Sequence, residues 1–151
     1  MTTAPHAPHV EIALPRSWSS ERDPARGLLA AARSREVPPS GFAPELTLHS
    51  TPVEATLEEW RAASIADLAG QVVDLDVEDT DTYDVDGVAV SYVRFGHRVG
   101  GRDVVSEQWA WRVDGVGVTL TGTVARVDYL DYGDLFEEVA ATVAFVGDRA
   151  A

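Results

Sequence analysis

The sequence predicts an α+β domain in which helices pack on an antiparallel sheet. Three observations lead there. From Gln71 onward apolar residues recur with a period of two through residue 124, the mark of half-buried strands. Asp86-Gly87, Gly100-Gly101 and Asp114-Gly115 punctuate that stretch with dipeptides that favour two-residue hairpin turns. Segments of helical period stand before and after it, and strands grouped apart from helices define an α+β layout.

The elements follow in order. Residues 1–8 mix Thr, Pro, His and Ala without periodicity and read as a flexible tail, as do residues 148–151; residues 9–147 form a single domain. Val10, Ile12 and Leu14 alternate with Glu11 and Ala13 as a first strand that Pro15 ends. Residues 16–26 are polar apart from Trp18, and residues 28–32 form a short apolar run compatible with strand or helix. Leu46 and Leu48 alternate with Thr47 and His49 in a strand over residues 42–50. Thr51, Pro52 and Glu54 read as a capping box, with Thr as N-cap and Pro at the first helical position. The helix they open places Leu57, Trp60, Ser64, Ile65 and Leu68 on one face and closes at Gly70. In the meander, Val73, Leu75, Val77, Tyr83 and Val85 share a parity, as do Val105, Trp109, Trp111 and Val113, and Val116, Val118, Leu120 and Val124. A second helix fits residues 132–144, with Asp131 or Asp134 as cap.

Composition bounds the chemistry. The 151 residues carry 25 acids against 12 cations, a formal net charge of −13, and contain no cysteine. Every one of those cations is arginine, and lysine and asparagine are absent, so thiol nucleophiles, Cys-ligated metals, Schiff bases and P-loops are excluded. The first 35 residues hold five Arg against three acids; the remainder holds seven Arg against 22 acids and should repel a phosphate backbone, so nucleic acid is not an expected partner. The N-terminal MTTAPHAPH has neither a cationic start nor an apolar run, and no stretch approaches the roughly 20 apolar residues of a membrane span. A cytoplasmic location is the expectation.

The densest cluster is DLDVEDTDTYDVDG, residues 74–87. An EF-hand register on Gly87 puts Asp84 and Asp86 correctly but Thr82 first and Val93 last, so the calcium motif fails at both ends. Asp74, Asp76 and Glu78 alternate with apolar residues as the solvated face of a strand, and a weak cation site near Asp79, Asp81 and Asp84 is the alternative. The histidines lack metal-helix spacing, and no serine sits in a nucleophile elbow, so no catalytic residue, metal or cofactor is nominated. Gly-rich residues 115–122 lie inside a strand and read as close packing or bulges. Arg94, His97, Arg98 and Arg102 surround the Gly100-Gly101 turn as a cationic spot, either a scattered solvated set or a docking point for a partner's carboxylate or phosphate. Trp109 and Trp111 share a strand face, as a platform or as core under the Trp60 helix; Glu107, of the same parity, lies at a strand end or lines a pocket.

Leu14-Pro15 followed by Trp18, the segment Phe42-Ala43-Pro44-Glu45-Leu46-Thr47-Leu48, a capped helix and a meander closing with a helix together form a pattern. Over residues 10–146 it resembles the LpqN/LpqT-type actinobacterial proteins of the PsbP-like superfamily. The resemblance implies a curved antiparallel sheet between helices, a PsbP-like α/β/α sandwich, in proteins that mostly bind other molecules. This chain has no lipobox cysteine. It implies no catalytic residues. The expectation is a non-catalytic protein-binding or adaptor module, chaperone-like, whose partner is another protein, as a monomer or weak homodimer. The alternative is a small-ligand carrier or enzyme with a pocket between sheet and helix. A pocket lined by Glu107, Trp109 and a histidine favours the alternative; a flat apolar patch favours the adaptor.

Overall fold

The computed structural model describes residues 9–146; both predicted tails, and Gly147 of the predicted domain, lie outside them. Its strands are β1 (His9–Glu11), β2 (Ser19–Asp23), β3 (Leu28–Arg33), β4 (Glu45–Pro52), β5 (Val73–Val85), β6 (Val88–Val99), β7 (Arg102–Val113), β8 (Val116–Ala125) and β9 (Ala144–Val146). The helices are α1 (Leu57–Gln71) and α2 (Tyr129–Ala141). Seven strands form one antiparallel sheet in the order β2-β3-β4-β8-β7-β6-β5, and β1 pairs with β9 in a separate ribbon.

The meander folds as its turn dipeptides direct. Asp86-Gly87, Gly100-Gly101 and Asp114-Gly115 all take positive φ at both positions, the geometry that matches strand twist in a two-residue hairpin. Register then sorts the side chains. Val105, Glu107, Trp109, Trp111 and Val113 of β7 share a face with Val124, Gly122, Leu120, Val118 and Val116 of β8. That face carries the main core, in which Leu46, Leu48, Trp109, Trp111, Val118, Leu120, Val124 and Phe136 are buried. α2 covers it. On the opposite face α1 packs Leu68 and Ile65 against Val93, Phe95 and Leu75 in a smaller core.

Both helices dock through an aromatic ring laid on a β8 glycine. A Cβ at Gly117 would sit 2.6 Å from Trp60 Cζ2, and one at Gly122 would sit 2.7 Å from Phe136 Cδ2. Close packing is therefore the reading of this Gly-rich strand that holds. α1 also buries Arg61, whose Nη2 donates to Gln108 Oε1 at 2.7 Å; loss of water lowers its guanidinium pKa to about 10.

Several expectations are corrected. The N-cap lies five residues later than Thr51: Thr56 caps α1, its Oγ1 accepting from the Glu59 amide at 3.1 Å and donating to the Glu59 carboxylate at 2.9 Å. Thr51 and Pro52 instead end β4, paired with Gly117 and Val116 of β8. Gly70 lies inside α1, which runs to Gln71. Residues 28–32 are strand, and the polar residues Ser19–Asp23 form an unforeseen edge strand beside them. The first strand is shorter than residues 10–14, though Ile12 and Leu14 still pack on the core. α2 starts at Tyr129 rather than at residue 132, and neither Asp131 nor Asp134 caps it. Asp128 precedes it, accepting instead from Ser40 Oγ at 2.6 Å.

Candidate functional site

The site arises from a mismatch of widths. α2 lies over β7 and β8, while the sheet extends two strands further, through β6 to β5. A cleft of about 440 Å³ fills the gap, lined by β5 to β7 and by Glu137, Ala140, Ala141 and Val143. That volume lies in the range of small-molecule sites.

Two bulges in β5 decide which of its residues reach the cleft. The register shifts between Val73 and Asp76 and again between Val77 and Asp79. A one-residue shift exchanges the two faces of a strand. After the second shift Asp79, Asp81, Tyr83 and Val85 stand opposite Arg94, Tyr92, Val90 and Val88, on the α2 face. The single parity predicted for Val73 through Val85 is thereby broken. The acidic stretch does not serve only as a solvated face.

Across β6 and β7 the cleft is built in rows. Asp79, Arg94 and Glu107 form one row, Asp81, Tyr92 and Trp109 the next, with Tyr83 and Val90 beyond. Trp109 and Trp111 are buried, the first 5.4 Å from the Tyr92 ring and the second 5.8 Å from Phe145 of β9. They lie under α2 and β9, not under the helix that carries Trp60. Glu107 is buried at 6% exposure, within the strand rather than at its end. Tyr92 Oη donates to its Oε2; Oε1 makes no hydrogen bond of normal geometry, although the Tyr129 hydroxyl and Arg94 stand close enough to act on the carboxylate. Burial pushes the Glu107 carboxyl above its usual range, against the opposing pull of the Tyr92 and Tyr129 hydroxyls and of Arg94; Glu137 on α2 adds to the rise. Burial likewise pushes the Tyr92 phenol up, so Tyr92 remains a donor.

The structure thus brings the predicted Glu107, Trp109 and Trp111 together and adds Asp79, Asp81, Tyr83, Tyr92 and Glu137; the lining includes no histidine. Asp79 and Asp81 belonged to the acidic cluster noted in the sequence. Tyr92 was not singled out, although the β6–β7 register about the Gly100-Gly101 turn sets it opposite Trp109, and Glu137 gave no signal of its own, because it joins the cleft only through where α2 lies across the sheet.

The cationic set is divided. Arg94 and Arg98 lie on the α2 face with side chains turned to acids: Arg94 Nε to Glu78 at 3.3 Å and Arg98 Nε to Asp74 at 3.4 Å. Glu78 also pairs with Arg126, which reaches Asp103 at 3.1 Å. The Arg126 hydrogen bond, helped by Arg94, holds the Glu78 carboxyl below its usual range despite partial burial. Arg102 lies beside Gly41, where a Cβ would meet its guanidinium at 2.7 Å. His97 is on the other face, buried, its Nε2 2.8 Å from Ser106 Oγ, which is 2.7 Å from Thr123 Oγ1. Burial lowers its pKa.

No protein-family model matches the sequence, and no curated protein does. Solved structures do. The chain is similar to the cyanobacterial PsbP (CyanoP) of Synechocystis sp. PCC 6803, with TM-score 0.66 at 16% identity over 91% of this chain and 86% of that one. It is similar to PA94 of Pseudomonas aeruginosa, a protein of unknown function, with TM-score 0.70 at 12% identity over 92% and 99%. LpqN of Mycobacterium tuberculosis, involved in cell envelope biogenesis, superposes with TM-score 0.68 at 10% identity over 95% and 87%. At these identities the likeness is one of fold, and the fold is PsbP-like: a curved antiparallel sheet with helices against it.

Proposed function

We propose that the protein is a non-catalytic binding module that seats a small ligand in the cleft between β5 to β7 and α2. One observation carries the reading: Glu107, more than nine-tenths buried, lines the cleft with Oε1 unpartnered. A buried carboxylate oxygen without a donor costs free energy, of order 1–3 kcal/mol or more, that a bound donor would recover. Around it stand Tyr92, Trp109 and Trp111, large rigid surfaces suited to holding a ligand's apolar part. Of the two classes the sequence left open, this supports the pocket-bearing one.

Ligand-observed NMR with a chemically mixed fragment library tests the reading. Ala141 is exposed at the cleft wall, so an indole introduced by Ala141→Trp would occupy the space without entering the core. Fragments that bind the wild type and are lost on Ala141→Trp support the proposal. A hit set indifferent to the substitution would place binding elsewhere and overturn it.

A further inference from the structure

Resting on that reading, we propose that the ligand is a linear aliphatic polyamine, its ammonium groups facing Glu107, Asp79, Asp81 and Glu137 and its alkyl spacers lying along Tyr92 and Trp109. The lining contains those four carboxylates; Arg94, in the row of Asp79 and Glu107, offsets one of them but turns its guanidinium to Glu78, so the net field inside the cleft still favours a multiply charged cation. The carboxylates do not converge: no group of three or more acids or histidines among the described residues is placed to hold a metal ion. They are spread along the strands instead. The row of Asp79 and Glu107 precedes that of Asp81 and Trp109 by two residues, about 6.8 Å in an antiparallel strand. A short alkyl spacer separates two amines by a comparable length.

The floor refines the choice. Glu107 Oε1 is a buried acceptor awaiting an N–H donor, which a primary or secondary ammonium supplies and a quaternary ammonium does not. Tyr92 and Trp109, their ring centroids 5.4 Å apart and tilted by 54°, supply aromatic lining against which methylenes made partly positive by adjacent ammoniums would pack. A partner's lysine side chain would bring one ammonium and leave most of the carboxylates unanswered. Asp79, Asp81, Tyr83 and Glu137 are exposed at the rim, so a small cation can enter beside β5.

Calorimetric titration with spermidine, 1,4-diaminobutane and N-acetyl-lysine amide tests this at two ionic strengths. Spermidine should bind one per chain, more tightly than either other probe. Glu107→Gln and Glu137→Gln should each weaken it, the former by on the order of tenfold, the scale of exchanging a charge-assisted hydrogen bond for a neutral one. The double variant Asp74→Asn/Asp76→Asn, whose acids lie outside the cleft, should change it less than about twofold, as expected for exposed charges in salt. Circular dichroism melts confirm that each variant folds. Equal weakening by the two sets would mean that spermidine answers the overall acidity, and lysine amide binding as tightly would make a partner's side chain the occupant; either overturns the proposal. Fragments lost on Ala141→Trp while spermidine fails to bind would sink the polyamine and leave the cleft reading intact. Loss of both would sink both.

Discussion

Tyr92 donates its phenolic hydrogen to Oε2 of Glu107 across the β6–β7 pair, and Oε1 of the same carboxylate keeps no partner. One oxygen is satisfied by the fold and the other is held in reserve. That arrangement is stiff, because Tyr92 is itself braced on Trp109.

Glu107→Gln should therefore stabilise the empty protein. Burial raises the folded-state pKa of Glu107 above its unfolded value. The folded state then binds more protons, so stability falls as pH rises from about 4.5 through the raised folded value. Gln carries no such penalty. The difference in melting temperature, variant minus wild type, should grow between pH 4 and pH 8 to a few degrees, about 1 kcal/mol in a chain of this size. A difference independent of pH would show that Glu107 carries no burial penalty.

Gly117→Ala and Gly122→Ala should each destabilise by roughly 1–3 kcal/mol, the usual cost of overpacking. The first would push Trp60, and α1 with it, away from β8; the second would displace the buried Phe136 ring. Urea melts measure the loss, and near-ultraviolet circular dichroism should change more for the first, which moves a tryptophan. Gly87→Ala is a useful contrast, since nothing lies within 4 Å of a Cβ there and only its φ of +83° opposes the change.

Thr56→Ala should cost about 0.5–2 kcal/mol, the range for a lost N-cap. Thr51→Ala, at an exposed strand position with no capping role, should stay within about 0.5 kcal/mol of wild type. Denaturant midpoints of the two variants rank the sites directly. The opposite order would put the helix start back at Thr51.

Arg126→Gln should raise the pKa of Glu78 toward the ordinary carboxylate value, since the Arg126 hydrogen bond is the largest cause of its depression. NMR titration of the Glu78 side chain reads this out. The stability that Glu78 contributes is present above its unfolded pKa and is lost as pH falls through the lower folded one, so the variant and wild type should converge in acid. With Arg126 42% exposed, solvent screening should hold the loss at neutral pH to about 1 kcal/mol or less.

The sequence made the meander plain because its signals are local: two residues with positive φ at each turn, and alternation between them. The cap of α1 was misplaced because Thr51-Pro52-Val53-Glu54 and Thr56-Leu57-Glu58-Glu59 both satisfy the same four-residue pattern. What separates them is non-local: Thr51 and Pro52 are drawn into β4 by pairing with β8, far along the chain. Ser19–Asp23 escaped notice because an edge strand with nothing to bury has no hydrophobic alternation to display. Of the site, Glu107, Trp109 and Trp111 were legible from parity within one strand. Asp79 and Asp81 faced the cleft only through a bulge, and Glu137 only through the docking of α2, neither of which composition encodes.

The ribbon of β1 and β9 has a mechanical consequence. His9 pairs with Val146, and Glu11 with Ala144, so the two ends of the described chain leave side by side from the same end of an antiparallel pair. A pull that separates them loads its hydrogen bonds one after another rather than together, as a zip opens from its free end. The ribbon should part at low force, releasing the segment that carries Ile12 and Leu14 from the core before the seven-stranded sheet bears any load. Joining the same two ends with a short linker should lock the ribbon shut and move first failure to another part of the molecule.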